Sequence, residues 1–330
     1  MKLSLSFGFS ANPRSWPILD GRVKPDGVDL VCNVVGPSEL FLRQLKYQEF
    51  DVSEMSFSSL LMITAMGTKD WVGVPIFTTR SFFHTGGLAR KAAKIETAAD
   101  LKGKRVGVPE YQQTAALWSR GVMQHDYGVR AQDCEWFMER TLEASHAGAV
   151  GFKPPPGVKL NFIPQDKSIG SMMLSGELDA TIIYYGEANR VDRSNQNLRG
   201  HPDIKNLYPD PYEEGVRFFR KHGIYPINHG VVIRREIAEQ HPWVLTNLVK
   251  AFKQAGAIAD SERKAHMHYY LETGTLPREA AKAIDTPLVQ HGVTANRKTL
   301  ETAAQWSFEQ GLTPRLVKLD EVFAPSTLAE

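Results

Sequence analysis

The chain has 330 residues, 42% apolar and 23% charged, which is enough for two domains with well-buried cores. Its 39 basic residues against 37 acidic leave a net charge of +2, so neither a nucleic-acid partner nor a membrane-surface partner is expected. Cys32 and Cys134 are the only cysteines and do not form a Cys-x-x-Cys, which excludes a disulfide framework and a thiolate zinc site.

At the N-terminus Leu3, Leu5, Phe7 and Phe9 alternate with Ser and Gly. That is the period of a strand rather than the unbroken apolar run of a signal peptide, so a cytoplasmic location is expected. No stretch approaches the about eighteen uninterrupted apolar residues of a membrane span. The pattern predicts strands over 3–9, 28–35, 51–56, 72–77 and 82–89, a helix over 38–47 and a buried helix over 57–66. Next come a strand over 105–108 stopped by Pro109, and a helix over 112–127 ending at Gly128. A strand over 158–163, a helix over 167–175 and strands over 180–185 and 231–234 follow, then a helix-rich tail over about 240–312. Alternation of this kind predicts an α/β fold with mostly parallel sheets.

The strand that runs into the helix near Gln112 places unpaired N–H groups and a positive dipole end at one spot, a seat for a carboxylate or phosphate. Gln112, Gln113 and Thr114 occupy it, either as caps or as donors to a ligand. Crossings between lobes are expected near 90–100 and near 223–230, where Gly223, Pro226 and Gly230 cluster. The division is therefore 1–90 with 223–330, including the helical tail, as one lobe, and 91–222 as an inserted lobe.

Arg14, Arg80 and Arg120 are candidate anchors for a dicarboxylate, because guanidinium forks match carboxylates and stay charged. Each is also open to a salt-bridged or solvated role, Arg120 most of all because its helix position can face away from the cleft. His84 and His229, beside Gly residues, are candidates for proton transfer near neutral pH. Ser168 and Ser171 begin a helix and offer neutral donors. Trp16, Trp118 and Trp136 are either core or the floor of an aromatic site. His266 and His268 are two residues apart on a helix and diverge, so no metal site is expected there.

Several segments together resemble the 4,5-dihydroxyphthalate decarboxylase family, a branch of the type II periplasmic-binding-protein-like fold. They include Leu19-Asp-Gly-Arg-Val-Lys-Pro-Asp-Gly-Val-Asp-Leu30, Glu49-Phe-Asp-Val-Ser-Glu-Met-Ser56 and Gly107-Val-Pro-Glu-Tyr-Gln-Gln-Thr-Ala-Ala-Leu-Trp-Ser-Arg-Gly121. Further matches are Gly223-Ile-Tyr-Pro-Ile-Asn-His229, His241-Pro-Trp243 and Gln310-Gly-Leu312. Against the family pattern, Asn12-Pro13-Arg14 stands for Tyr-Asp-Arg, Phe83 for an Arg and Asn228 for a Met. The resemblance implies two lobes with a ligand cleft between them. It also implies non-oxidative loss of carbon dioxide from a hydroxylated aromatic carboxylate such as 4,5-dihydroxyphthalate, without a cofactor. In that reading Arg14 and Arg80 anchor, Asn228 contacts substrate, His84 or His229 is the acid, and Glu143, at a family Leu-Glu position, is the base. The alternative is a solute-binding protein for a small carboxylate or sulfonate, without catalysis. The partner expected is a small aromatic acid, with a homo-oligomer possible.

Overall fold

The structure, a computed structural model, describes residues 2–284 and 290–330; residues 285–289 of the expected helical tail lie outside the described residues. The chain begins with β1 (Leu3–Phe9), α1 (Trp16–Leu19), β2 (Val28–Val34), α2 (Pro37–Tyr47), β3 (Val52–Ser56), α3 (Phe57–Ala65) and β4 (Trp71–Arg80). Leu5, Phe7 and Phe9 fill the buried side of β1, with Phe7 stacked on Phe9 at 4.5 Å. After a 3-10 turn the chain enters β5 (Leu88–Arg90), then β6 (Arg105–Val108), α4 (Thr114–Tyr127), β7 (Glu135–Met138) and β8 (Lys159–Phe162). α5 (Ile169–Ser175), β9 (Ala180–Thr181), β10 (Ile204–Asn206) and α6 (Pro211–His222) complete this middle part. The last part is β11 (Ile227–Arg234), α7 (Arg235–Gln240), the 30-residue α8 (Trp243–Glu272), α9 (Val293–Glu309) and α10 (Leu319–Val322).

Two sheets result, ordered β2-β1-β3-β11-β4 and β10-β5-β9-β6-β7-β8. β1, β2 and β3 pair in parallel, and β11 runs antiparallel between β3 and β4. In the second sheet β9, β6, β7 and β8 are parallel. Each sheet is the centre of a lobe. The chain leaves the first sheet after Arg80 and is in the second by Leu88, so the crossing comes before the expected 90–100, and β5 falls in the second sheet. The expected strand over 82–89 is instead a 3-10 turn, Phe83–Gly86, before that short strand. Both the Thr85 N–H and the Thr85 hydroxyl donate to the Phe82 carbonyl, at 3.0 and 2.8 Å, which closes a turn where a ladder would need an open strand. The expected strand over 180–185 is limited to Ala180–Thr181. β11 starts earlier than expected and so carries Asn228 and His229.

α4 begins at Thr114 rather than Gln112 and ends at Gly128, whose φ of 66° is the left-handed cap that glycine tolerates best. Gly121 on α4 has another reason: a Cβ there would lie 1.9 Å from the Trp306 ring on α9. Trp306 in turn packs against Trp118 with ring centroids 5.2 Å apart, and the Trp118 indole donates to the Ile227 carbonyl at 2.8 Å. One apolar cluster therefore runs from Met55 and Phe57 through Val106, Trp118 and Trp136 to Leu300 and Trp306, across both sheets.

Candidate active site

The C-terminal ends of β3 and β4 and the start of the antiparallel β11 meet at one edge of the first sheet. They face the ends of β6 and β7 in the second, and ligand crevices in open α/β sheets form at such ends. Here they enclose a cleft of about 330 Å³, a size suited to a small ligand. Ser56, Thr79, Asn228, His229 and the first turn of α2 line it from one lobe. Gln113, Thr114, Ala115, Arg140, His146, Tyr185 and Asp192 line it from the other.

His229 is backed by Glu54, a fully buried carboxylate in the middle of β3. Glu54 Oε1 accepts from His229 Nδ1 at 2.6 Å and from the Thr78 hydroxyl at 2.6 Å. Oε2 accepts from the Ser10 N–H at 2.7 Å and the Ser10 hydroxyl at 2.6 Å. Burial alone would raise this carboxyl, but His229, Ser10 and Thr78 outweigh it and hold it at about 2. The carboxylate stays charged and can only accept, so the proton of the imidazole sits on Nδ1. Nε2 then accepts from the Asn228 amide N–H at 2.8 Å, a donor that a substrate hydroxyl would displace. This resting arrangement is that of a proton acceptor, whereas the sequence pointed to an acid. Asn228 Oδ1 is buried without a partner among the described residues.

In the second lobe Arg140 is fully spent. Its Nε donates to Asp192 at 2.7 Å, one terminal nitrogen donates to Glu110, and the other reaches Ser38 of α2 at 2.7 Å. His146 lies with Nδ1 3.2 Å from Glu110 and Nε2 3.1 Å from the Ser59 hydroxyl. Burial lowers its proton affinity, and Arg140 adds to that against the opposing pull of Glu110. A carboxylate entering the cleft therefore meets no unpaired cation. It meets the start of α4, which has no side-chain cap, with the buried Gln113 amide nitrogen unpartnered among the described residues. This bears on the reading of that strand–helix junction as an anion seat, with one change. Thr114 is not available, because its hydroxyl bonds Ser56 at 2.8 Å and accepts the Ser58 N–H at 2.8 Å. Gln112 is buried, outside the cleft walls, and donates to Glu110.

The remaining candidates lie elsewhere. His84 is packed among Phe82, Tyr208 and Phe218, 3.3 Å from Glu214 of α6, and does not meet His229. Glu143 is in an exposed turn and is removed as the base. Arg120 is buried over the Tyr111 ring, bonded to Gln310 and the Tyr111 carbonyl, and holds α9 rather than a ligand. Ser168 caps α5 with Ser171 and bonds Gln196. Trp118 and Trp136 are core. Arg14 and Arg80 are absent from the cleft walls. Among the described residues no group of His, Cys, Asp and Glu is arranged to hold a metal.

The ion pairs around His84 carry a stability consequence. Asp126, bonded by Lys221, Arg217 and His222, and Glu214, bonded by Arg217, His84 and Tyr127, are each held at about 2 against the opposing pull of burial. With Glu54 they make three carboxyls depressed in the folded state. Their contribution is complete above the unfolded range of about 4–4.5 and is lost as pH falls through about 2. The urea midpoint should fall steadily between pH 4.5 and 2.5; a constant midpoint over that range would contradict these pairings.

Sequence reasoning missed Glu54, Glu110, Arg140, His146, Tyr185 and Asp192 as site residues. The available signal was position: Glu110 and Arg140 follow β6 and β7 by two residues each, where a cleft forms.

No family model matches the chain. Among solved structures it resembles the alkanesulfonate-binding protein SsuA of Xanthomonas axonopodis pv. citri, with a TM-score of 0.57 at 15% identity over 98% of this chain and 97% of that one. The periplasmic aliphatic sulphonate binding protein SsuA of Escherichia coli gives 0.55 at 14% identity, covering 100% of each chain. The desulfurization enzyme DSZB gives 0.55 at 16% identity over 98% and 97%. Two sheets with a cleft at their facing edges thus define a two-lobed periplasmic-binding-protein-like fold. By sequence, the chain is 32% identical over 332 residues to a 4,5-dihydroxyphthalate decarboxylase of Comamonas testosteroni, covering 99% of this chain and 98% of that protein. A protein of the same name from Pseudomonas putida is 37% identical over 219 residues, covering 66% and 82%. The chain belongs to the 4,5-dihydroxyphthalate decarboxylase family.

Proposed function

We propose that the chain is a non-oxidative carboxy-lyase for a hydroxylated aromatic dicarboxylate such as 4,5-dihydroxyphthalate, acting in the cleft between its lobes. The observation that carries this reading is the His229–Glu54 pair on the cleft wall, supported by the two relatives. A ring hydroxyl para to the leaving carboxylate gives its proton to His229 Nε2, and Glu54 stabilises the imidazolium. The charge enters the ring, the carbon bearing the carboxylate takes up a proton supplied by water, the electrons of the breaking C–C bond restore aromaticity as carbon dioxide leaves, and the imidazolium returns its proton to the phenolate oxygen. Tyr185 is the neutral donor on the opposite wall: burial pushes its hydroxyl up to about 12, so it keeps its proton at working pH. That hydroxyl has no hydrogen-bond partner among the described residues. Asn228 Oδ1 offers an acceptor to the adjoining ring hydroxyl, and Gln113 with the first turn of α4 seats a carboxylate. The test is to incubate the purified protein with 4,5-dihydroxyphthalate and follow carbon dioxide and protocatechuate. Both should appear in equal amounts. Binding without either product would return the chain to the solute-binding reading.

A further inference from the structure

Asn228 and His229 are neighbours in sequence, yet both stand on the cleft wall. An unbroken strand does not allow this, because successive side chains leave it on opposite faces. The pairing of β11 with β4 supplies the reason. Ile227 is opposite Arg80 and His229 is opposite Thr79, so two steps along β11 match one step along β4, and Asn228 is the extra residue of a bulge. Such a bulge interrupts the ladder and re-aims a side chain. On its other edge β11 keeps an even register with β3, from His229 opposite Ser56 to Ile233 opposite Val52. The irregularity therefore delivers one thing, a second polar group beside the imidazole.

Which end of the Asn228 amide faces which way is set from the far end of the network. Glu54 can only accept, so His229 carries its hydrogen on Nδ1 and Nε2 must accept. Asn228 turns its NH2 to Nε2, and the amide oxygen is left for something else. The residue is 6% exposed, and Oδ1 is buried with no donor among the described residues. The hydroxyls of this wall do not serve it: Ser56 is bonded to Thr114, and Thr79 donates to Glu54. The Phe41 ring stands edge-on to the imidazole at 4.7 Å and, with the Glu54 bond, holds it in place.

A buried acceptor without a donor is costly, and a ligand that brings a donor recovers the cost. Two acceptors thus stand side by side: Nε2, for the hydroxyl that gives up its proton, and Oδ1, on the same amide as the N–H that bonds Nε2. They match hydroxyls on adjacent ring carbons. A ring with a single hydroxyl serves the first and leaves Oδ1 buried and unmet. Sites built to bond a hydroxyl reject the analogue lacking it far more strongly than an apolar pocket rejects a missing methylene. We propose that Asn228 is the specificity-determining residue by which the cleft selects an aromatic acid with two adjacent hydroxyls over the same acid with one. This selection rests on the cleft being a site for a hydroxylated aromatic acid, and does not need the acid to lose its carboxylate there.

Protocatechuate, with adjacent hydroxyls, and 4-hydroxybenzoate, with one, are the probes. Their affinities are compared by titration calorimetry in the wild type and in Asn228→Leu, which keeps much of the shape of the side chain without its acceptor. The wild type should bind protocatechuate at least about tenfold more tightly. In Asn228→Leu that ratio should fall to about one, chiefly through weaker binding of protocatechuate. The ratio is the quantity to read, because both acids present the same hydroxyl to His229 and any disturbance of the imidazole weakens them alike. Asn228→Ala, which cannot overfill the bulge, should give the same ratio and decides the matter if the leucine variant does not fold. Absence of binding by either acid, equal affinities in the wild type, or a preference that survives in the variants would overturn the proposal. A failure of the decarboxylase reading alone looks different: the preference and its loss stand, and no carbon dioxide is released.

Discussion

His229→Asn should bind an aromatic dicarboxylate about as well as the wild type and turn it over on the order of 10²–10⁴ more slowly. Asparagine retains a polar group of similar reach but cannot accept the phenolic proton. The loss should therefore fall on kcat, with KM little changed, as for an interaction made in the transition state. His84→Asn is the control. It removes a ring packed against Phe218 and facing Glu214, away from the cleft, so it should lower stability while leaving turnover within a few-fold. Should His84→Asn prove the slower enzyme in single-turnover measurements, the assignment of the acceptor to His229 fails.

Glu54→Gln should be nearly as damaging, again on the order of 10²–10⁴ in turnover, although Glu54 touches no ligand. The amide keeps the shape of the side chain but loses the charge that fixes the Nδ1–H tautomer and stabilises the imidazolium. Because both residues serve one proton transfer, the double variant Glu54→Gln/His229→Asn should be no slower than His229→Asn alone. Losses that multiply in the double variant would mean that Glu54 acts only on the fold.

The architecture was readable because its signals are local. Alternation in β1, the Pro109 stop after β6 and the Gly128 cap of α4 each depend on a few adjacent residues. The segment 82–89 misled because Phe82, Phe83 and Leu88 look like strand residues, while the feature that decides it is a backbone turn closed by Thr85. The site was less readable for a related reason. His229 stood out by type, but Glu54 sat in a short strand whose buried neighbours Val52 and Met55 explained the segment without it. Its partner is 175 positions away, and no spacing along the chain announces such a pair. Arg14 and Arg80 were noticed for their charge, yet neither is on the cleft walls, which only the packed lobes define.

The apolar cluster that joins Phe57 to Trp136 and Trp306 makes the two lobes one thermodynamic unit. A cavity cut in that shared cluster is felt by both sheets, although each also packs on a cluster of its own, around Phe252 for the first and Met172 for the second. A cavity cut at Trp136, in the lobe away from His229, lowers the population of active molecules as surely as one cut beneath β3. The inserted lobe is thus joined to the other by core rather than hung from it by two strands, and its sequence is constrained by a partner it meets only after folding.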